Sequence, residues 1–363
     1  MEILALVDKA RPTLTSIQVL RGIAALFVAI GHVIAEFSRL PAFSGGYDEN
    51  IVQFRFGVDL FFVISGFIMV YTTRGKPRTA AAGGQFLIAR FLRISPLYWA
   101  ATLLTIAIAL ALPSALNHEG MSAERILTSL FYLPHRNASG DFFPIVGPGW
   151  TLNYEMFFYL IFAVTFVLPW RSGIAALVVA LGGIVALGAL APAGNDLIAY
   201  YTNAILLEFA FGALLGYAYV RGALNRLGRL ALPAAAIAIA WIIALHLGGF
   251  EHMDQRVFFY GVPATLLVFA AVVADAQGKG IHWPFAMMLG DSSYSIYLTH
   301  LFVARAASIV TAKMLPGCPV WLFFVMTLAA VMLVGILTAR WFEIPMHHFT
   351  SKVFRSGKQK TAA

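Results

Sequence analysis

Three features of the sequence predict an all-α, polytopic integral membrane protein with about ten transmembrane helices. Only 12% of the 363 residues are charged, against roughly 25% in a soluble domain. Hydrophobic residues make up 60%, mean hydropathy is +0.80, and the excess recurs as apolar stretches along the whole chain. Each stretch runs to about 20 residues, enough to cross a ~30 Å hydrocarbon core. Most Lys and Arg gather in the short connections beside those stretches, where they set topology.

The stretches lie near residues 17–37, 53–72, 94–112, 149–168, 173–191, 197–220, 230–249, 256–274, 286–309 and 319–342. Glu2, Asp8, Lys9 and Arg11 precede the first, which contains Arg21 and is followed by no small-residue cleavage motif. It is read as a retained helix, not a signal peptide. The apolar piece Ile126 to Leu133 stops at Pro134 and is too short to span, so it is read as re-entrant or interfacial. With a cytoplasmic N-terminus, seventeen of the 25 Lys and Arg fall on the inner side and seven on the outer. That imbalance places both termini in the cytoplasm, which an even number of spans also requires. The longest connection, 113–148, then lies outside, as a lid or a plain linker. One transmembrane domain is expected over 1–345 and a basic cytoplasmic tail over 346–363, with His347 and His348 solvent-exposed in the tail.

Several function classes drop out. The net charge of +8 is distributed without a basic stripe interleaved with aromatics, so no nucleic acid is expected as partner. Cys318 is the sole cysteine, which rules out an intramolecular disulfide and a Cys-based metal site. No HExxH, P-loop or GxSxG motif occurs, and no metal site is expected. No internal repeat is visible, which removes one pointer to an inverted-repeat transporter.

The informative residues are those that break the apolar rule. A charge at bilayer depth costs at least ~2.5–3.5 kcal/mol and by default faces protein or an aqueous cavity. In RGIAALFVAIGH, Arg21 and His32 are eleven residues apart. That spacing is close to three full turns, so the two share a face about 16 Å apart along the axis, with Glu36 one turn further. They read as the wall of a passage, or as a snorkelling Arg and a core His. Arg55 and Asp59 stand at i, i+4 and can form an intrahelical ion pair, with Ser65 and Gly66 deeper in the span allowing close helix approach. Arg90 and Arg93, at the cytoplasmic start of the third span, read as a fork for phosphate or as ordinary inner-side charge.

Glu155, in GWTLNYEMFFY with Trp150, has aromatic neighbours and no cation close in sequence. Its partner must come from another helix; it reads as a proton-transferring carboxyl or as half of a buried ion pair. In GDSSYSIYLTH, Ser293, Tyr297 and His300 fall on one helical face, a candidate cavity lining, while Asp291 could cap the helix. Glu208 and Glu343 also lie within or close to spans.

Taken in order, RGIAALFVAIGH, GVDLFFVISGFIM, FLIARFLRISPLYW, GPGWTLNYEMFFY, GDSSYSIYLTH and the terminal WFEIPMHH resemble the membrane-bound acyltransferase-3 family, most of all its exopolysaccharide O-acetyltransferases of the ExoZ type. The resemblance covers essentially the whole chain. It implies transfer of an acyl group, usually acetyl, from cytoplasmic acyl-CoA to a hydroxyl of a polysaccharide or lipid-linked sugar, at the bacterial inner membrane. No resident cofactor is implied; acyl-CoA is a co-substrate and membrane lipid the surroundings. The family's Arg-x10-His signature falls on Arg21 and His32, its donor-binding Arg pair on Arg90 and Arg93, and its W-x-L-x-x-E block on Trp150 and Glu155. Many members carry a second carboxylate after that Glu, where this chain has Met156.

His32 would then act as general base, or carry the acyl group covalently, with Glu155 orienting it. Arg21, Tyr297 or Ser293 would face the oxyanion. Asp59, Trp150, Ser293, Tyr297 and His300 would line the acceptor cavity. The alternative is a proton-coupled transporter or polysaccharide exporter, which buried Arg, His, Glu and Asp would serve equally well.

Overall fold

The computed structural model describes residues 14–38, 40, 52–112, 121–137, 140–190, 195–248 and 255–361, with side chains described as far as residue 352. Among these residues all regular structure is helical. Ten helical segments are long and apolar enough to span a membrane, matching the number read from the sequence. The protein is a multi-pass membrane protein. Part of the 113–148 connection lies outside the described residues.

The chain forms two compact units, Met1–Arg74 with Leu207–Ala339, and Gly75–Leu206 with Arg340–Ala363. The first is organised around α1 (Thr15–Phe37). Packed on it are α2 (Phe56–Thr73), α10 (Val262–Ala276), α11 (Pro284–Asp291), α12 (Ser293–Met314) and α13 (Val320–Thr338); α8 (Leu206–Val220) and α9 (Ala231–Gly248) complete the unit. Ala25, Ala29 and Val33 recur every four residues on α1 and so make one stripe of small side chains. Against it lie Leu289, Ile296, Ala304, Phe323 and Val331. Small residues let helix backbones approach where the hydrophobic effect offers no drive between helices. The expectation for Gly66 holds: a Cβ there would overlap the Phe209 carbonyl, and one at Gly212 would overlap Val63. Thus α2 and α8 touch backbone to backbone. Gly290 meets the Gln18 carbonyl in the same way, pressing α11 onto α1.

The ninth stretch, expected as one span over 286–309, is two helices. It breaks at Ser292, whose φ of −92° and ψ of 3° sit in the bridge region, and α12 then runs on to Met314. The sequence signal was misread because Pro284 starts a short helix of its own.

In the second unit, α3 (Ala80–Ala111) packs on α5 (Gly149–Val164) and on α14 (Ile344–Thr361); α4 (Ala123–Leu130), α6 (Trp170–Ala189) and α7 (Asp196–Tyr201) complete it. The Thr79 hydroxyl caps α3 by accepting from Ala82 N at 3.2 Å, so this helix begins fourteen residues before the expected start of its apolar run. At 32 residues it is ~48 Å long, well beyond a ~30 Å core, so its first turns can project past the hydrocarbon. The apolar piece after residue 121 is the short helix α4, capped by Ser122 and tied to α3 where Trp99 Nε1 donates to Leu130 O at 2.9 Å. Nor is the basic tail a free segment. Helix α14 lies on α3, His347 is half-buried there within electrostatic reach of Arg93, and only His348 is exposed.

Candidate active site

In the first unit, α1 presents a column of polar side chains to α11 and α12. At its inner-sequence end Arg21 Nη1 donates to Gln18 Oε1 at 3.2 Å, and Gln18 Nε2 makes a short hydrogen bond to Asp291 Oδ1. Asp291 therefore bridges two helices instead of only capping one. At the other end Arg305 Nη1 pairs with Glu36 Oε2 at 3.2 Å, and the Ser308 hydroxyl lies 3.4 Å from Glu36 O. Between them His32 of α1 meets His300 of α12, ring centroids 4.9 Å apart.

The chemistry of the histidine pair follows from its carbonyl partners. His32 Nδ1 is 2.9 Å from Val28 O, and His300 Nδ1 is 2.7 Å from Tyr297 O. A carbonyl only accepts, so both Nδ1 atoms are assigned a proton, and in neutral rings both Nε2 atoms carry a lone pair. His300 Nε2 lies 3.2 Å from His32 Nδ1, and in this assignment it is the second, longer acceptor of the one Nδ1–H, which Val28 O shares at 2.9 Å. His32 Nε2 is left with its lone pair and has no hydrogen-bond partner among the described residues. His300 is fully buried, whereas His32 is half-buried and keeps an accessible edge. The arrangement leaves one imidazole nitrogen of His32 with a lone pair able to take a proton.

Tyr297 packs its ring 5.7 Å from Phe61 and 6.0 Å from His300, and the buried Ser293 hydroxyl has no partner among the described residues. Both sit on the face of α12 expected from their spacing.

Asp59 departs from expectation. It does not pair with Arg55, which is exposed. Arg256 reaches it from outside the helix, with Nε–Oδ1 at 2.8 Å and Nη2–Oδ2 at 2.9 Å. An i, i+4 pair near a helix start stays in water, while a fully buried carboxylate is held by whichever guanidinium satisfies both oxygens. Glu208, also fully buried, adds a second carboxyl beside this pair.

In the second unit Arg90 and Arg93 lie on the third and fourth turns of α3, both half-buried. The Arg90 guanidinium stands 5.6 Å from the centroid of Phe86. On α5 the Tyr159 hydroxyl makes a short hydrogen bond to Glu155, and Arg90, Glu155 and Tyr159 lie within electrostatic reach of one another. Arg90, on α3, is thus a cation from another helix within electrostatic reach of Glu155. Trp150 belongs to an aromatic stack: Tyr200 donates its hydroxyl to Trp150 O at 3.1 Å, and Tyr154 stacks on Tyr200 with centroids 4.4 Å apart.

Sequence reasoning missed Gln18, Arg305, Arg256 and Tyr159. Gln18 and Tyr159 lie one turn from Arg21 and Glu155, so helical spacing could have found them. Arg256 and Arg305 could not be assigned without knowing which helices touch.

A family model described as an acyltransferase domain, that of the acyltransferase-3 enzymes, matches residues 14–340. The chain belongs to the acyltransferase-3 family. Among curated relatives, this acyltransferase is 33% identical over 307 residues to the exopolysaccharide production protein ExoZ of Rhizobium meliloti strain 1021, covering 80% of this chain and 88% of that one. It is 28% identical to the acyltransferase MdmB of Streptomyces mycarofaciens, covering 68% of this chain and 67% of that protein. A third relative, protein 2 in the picA locus of Rhizobium radiobacter, is 32% identical over 40% of this chain and 78% of its own length. No solved structure matches significantly. The protein is a membrane acyltransferase.

Proposed function

We propose that this acyltransferase moves an acetyl group from cytoplasmic acetyl-CoA to a sugar hydroxyl of an exopolysaccharide or a lipid-linked precursor, in a bacterial inner membrane with both termini cytoplasmic. The observation that carries the chemistry is the uncommitted Nε2 of His32, held in its tautomer by Val28 and His300. The likeness to a protein of exopolysaccharide production supports the acceptor.

In the reaction, the acceptor hydroxyl gives its proton to His32 Nε2 as its oxygen attacks the thioester carbonyl. A C–O bond forms, and the carbonyl oxygen becomes an oxyanion facing Arg21, Tyr297 or Ser293. Collapse breaks the C–S bond, and the departing thiolate takes the proton back from His32 Nε2. Protons balance with no other reactant. Arg90 and Arg93 hold donor phosphates, since guanidinium forks match phosphate geometry. Glu155 and Tyr159 orient Arg90 for that task.

The test is acetyl transfer by the purified full chain in lipid nanodiscs, with acetyl-CoA and the host's polysaccharide, read by mass spectrometry. The intact protein should add acetyl mass and His32→Ala should add none at equal protein level. Full transfer by His32→Ala would overturn the base assignment; no acetyl transfer by the intact protein, with acetyl-CoA left unconsumed, would overturn the reaction.

A further inference from the structure

The base of the proposed reaction must become an imidazolium between taking the acceptor's proton and returning it. In serine hydrolases a carboxylate on the far ring nitrogen stabilises that cation. Here no carboxylate is hydrogen-bonded to His32 among the described contacts, and Glu36, the nearest on α1, is engaged by Arg305 one turn away. Beside the Val28 carbonyl, what faces His32 Nδ1 is the fully buried imidazole of His300.

We infer that His300 is a positioning residue whose neutral Nε2 accepts from His32 Nδ1–H and stabilises the imidazolium that forms in the transition state. The inference rests on His32 being the base. It changes the role read for His300 from the sequence, which was to line the acceptor cavity.

Two observations support it. First, the Tyr297 carbonyl assigns the His300 tautomer. Its Nδ1–H is spent on Tyr297 O at 2.7 Å, so Nε2 cannot also be protonated in the neutral ring and must accept. Second, His300 is fully buried. A carboxylate there would have to be desolvated whether or not the reaction is running, and an uncompensated buried charge is costly. A neutral imidazole imposes no such standing cost. Its hydrogen bond to His32 is of the ordinary neutral kind at rest, and becomes charge-assisted, roughly twice as strong, only when His32 is protonated. An interaction that strengthens only in the transition state raises kcat and leaves ground-state binding alone.

Three variants separate this role from packing. His300→Phe keeps a ring but no acceptor. His300→Asn keeps a group that reaches the Tyr297 carbonyl but none at the Nε2 position. His300→Gln places an amide oxygen near Nε2. We expect Phe and Asn to lower kcat about ten- to a hundredfold, with KM for acetyl-CoA and for acceptor held within about twofold. Gln should restore kcat to within about a factor of three. A packing role would give the opposite order, Phe best.

Nitrogen NMR of the intact, histidine-labelled protein reads the same point without a variant that must fold. Nδ1 of both rings should be protonated and Nε2 of His300 should not. Protonation at His300 Nε2, or full kcat in His300→Phe, overturns the inference. The two levels fail separately: if His32→Ala retains transfer, the base reading falls; if only His300→Phe retains it, the base stands and the role of His300 falls.

Discussion

Arg256 grips Asp59 with two hydrogen bonds, Nε to Oδ1 at 2.8 Å and Nη2 to Oδ2 at 2.9 Å, and the carboxylate has no exposed surface. Arg305 and Glu36 make a looser pair in the same unit, at 3.2 Å with 32% and 10% of their side chains exposed. Removing one partner of a buried pair strands a charge, whereas a partly hydrated pair contributes little beyond its geometry.

Asp59→Asn should therefore lower stability by about 3–5 kcal/mol, seen as a large fall in detergent Tm and in membrane yield. Glu36→Gln, whose amide oxygen can still accept from the partly exposed Arg305, should cost less, about 1–2 kcal/mol. A thermal-unfolding series of the two variants checks the contrast; equal losses would show that exposure is not what separates the pairs.

The contact between α2 and α8 makes a second prediction. A Cβ at Gly66 overlaps the Phe209 carbonyl, and backbone cannot swing aside as a side chain can. Gly66→Ala should cost about 1–3 kcal/mol or prevent assembly. Gly84 lies inside α3 with nothing within 4 Å of its would-be Cβ. Gly84→Ala should be tolerated and add about 0.5–1 kcal/mol by restricting the unfolded chain. Yield and Tm of the two substitutions report the difference.

These contrasts mark what the sequence could and could not express. Ten apolar stretches are legible because span length and composition are local properties. So is the shared face of Ser293, Tyr297 and His300, which needs only helical phase. The partner of Asp59 is not legible, since Arg55, four residues before it, satisfies every local rule and Arg256 is 197 residues away. The same holds for His32. Its phase with Arg21 follows from counting, but the meeting with His300 depends on Gly22, Ala25 and Ala29 letting α11 and α12 come close. Helix ends also elude hydropathy: α3 starts at a Thr79 cap among Ala and Gly residues that carry little apolar signal.

Arg90 and Arg93 make a third prediction, on the donor. Each charge-assisted bond to phosphate is worth about 1.5–3 kcal/mol, so Arg90→Ala and Arg93→Ala should each raise KM for acetyl-CoA by roughly ten- to a hundredfold. Lysine should rescue only partly, because an ammonium cannot supply the planar fork. Initial rates against acetyl-CoA concentration check this. An unchanged KM in both alanine variants would remove these residues from donor binding.

Glu155 and Tyr159 decide between two roles for the second unit. If Glu155 orients Arg90, its loss is a binding defect. Glu155→Gln keeps the shape and the bond to Tyr159 but lowers the local negative charge facing Arg90. It should raise KM for acetyl-CoA about tenfold with kcat little changed. Tyr159→Phe removes one neutral donor from that carboxylate and should give a smaller shift in the same direction, about fivefold. The double variant should add little to Glu155→Gln alone, because the hydroxyl acts only through the carboxylate. A fall in kcat with donor KM unchanged would instead assign Glu155 to the chemical step, as a proton carrier with no dependence on Arg90.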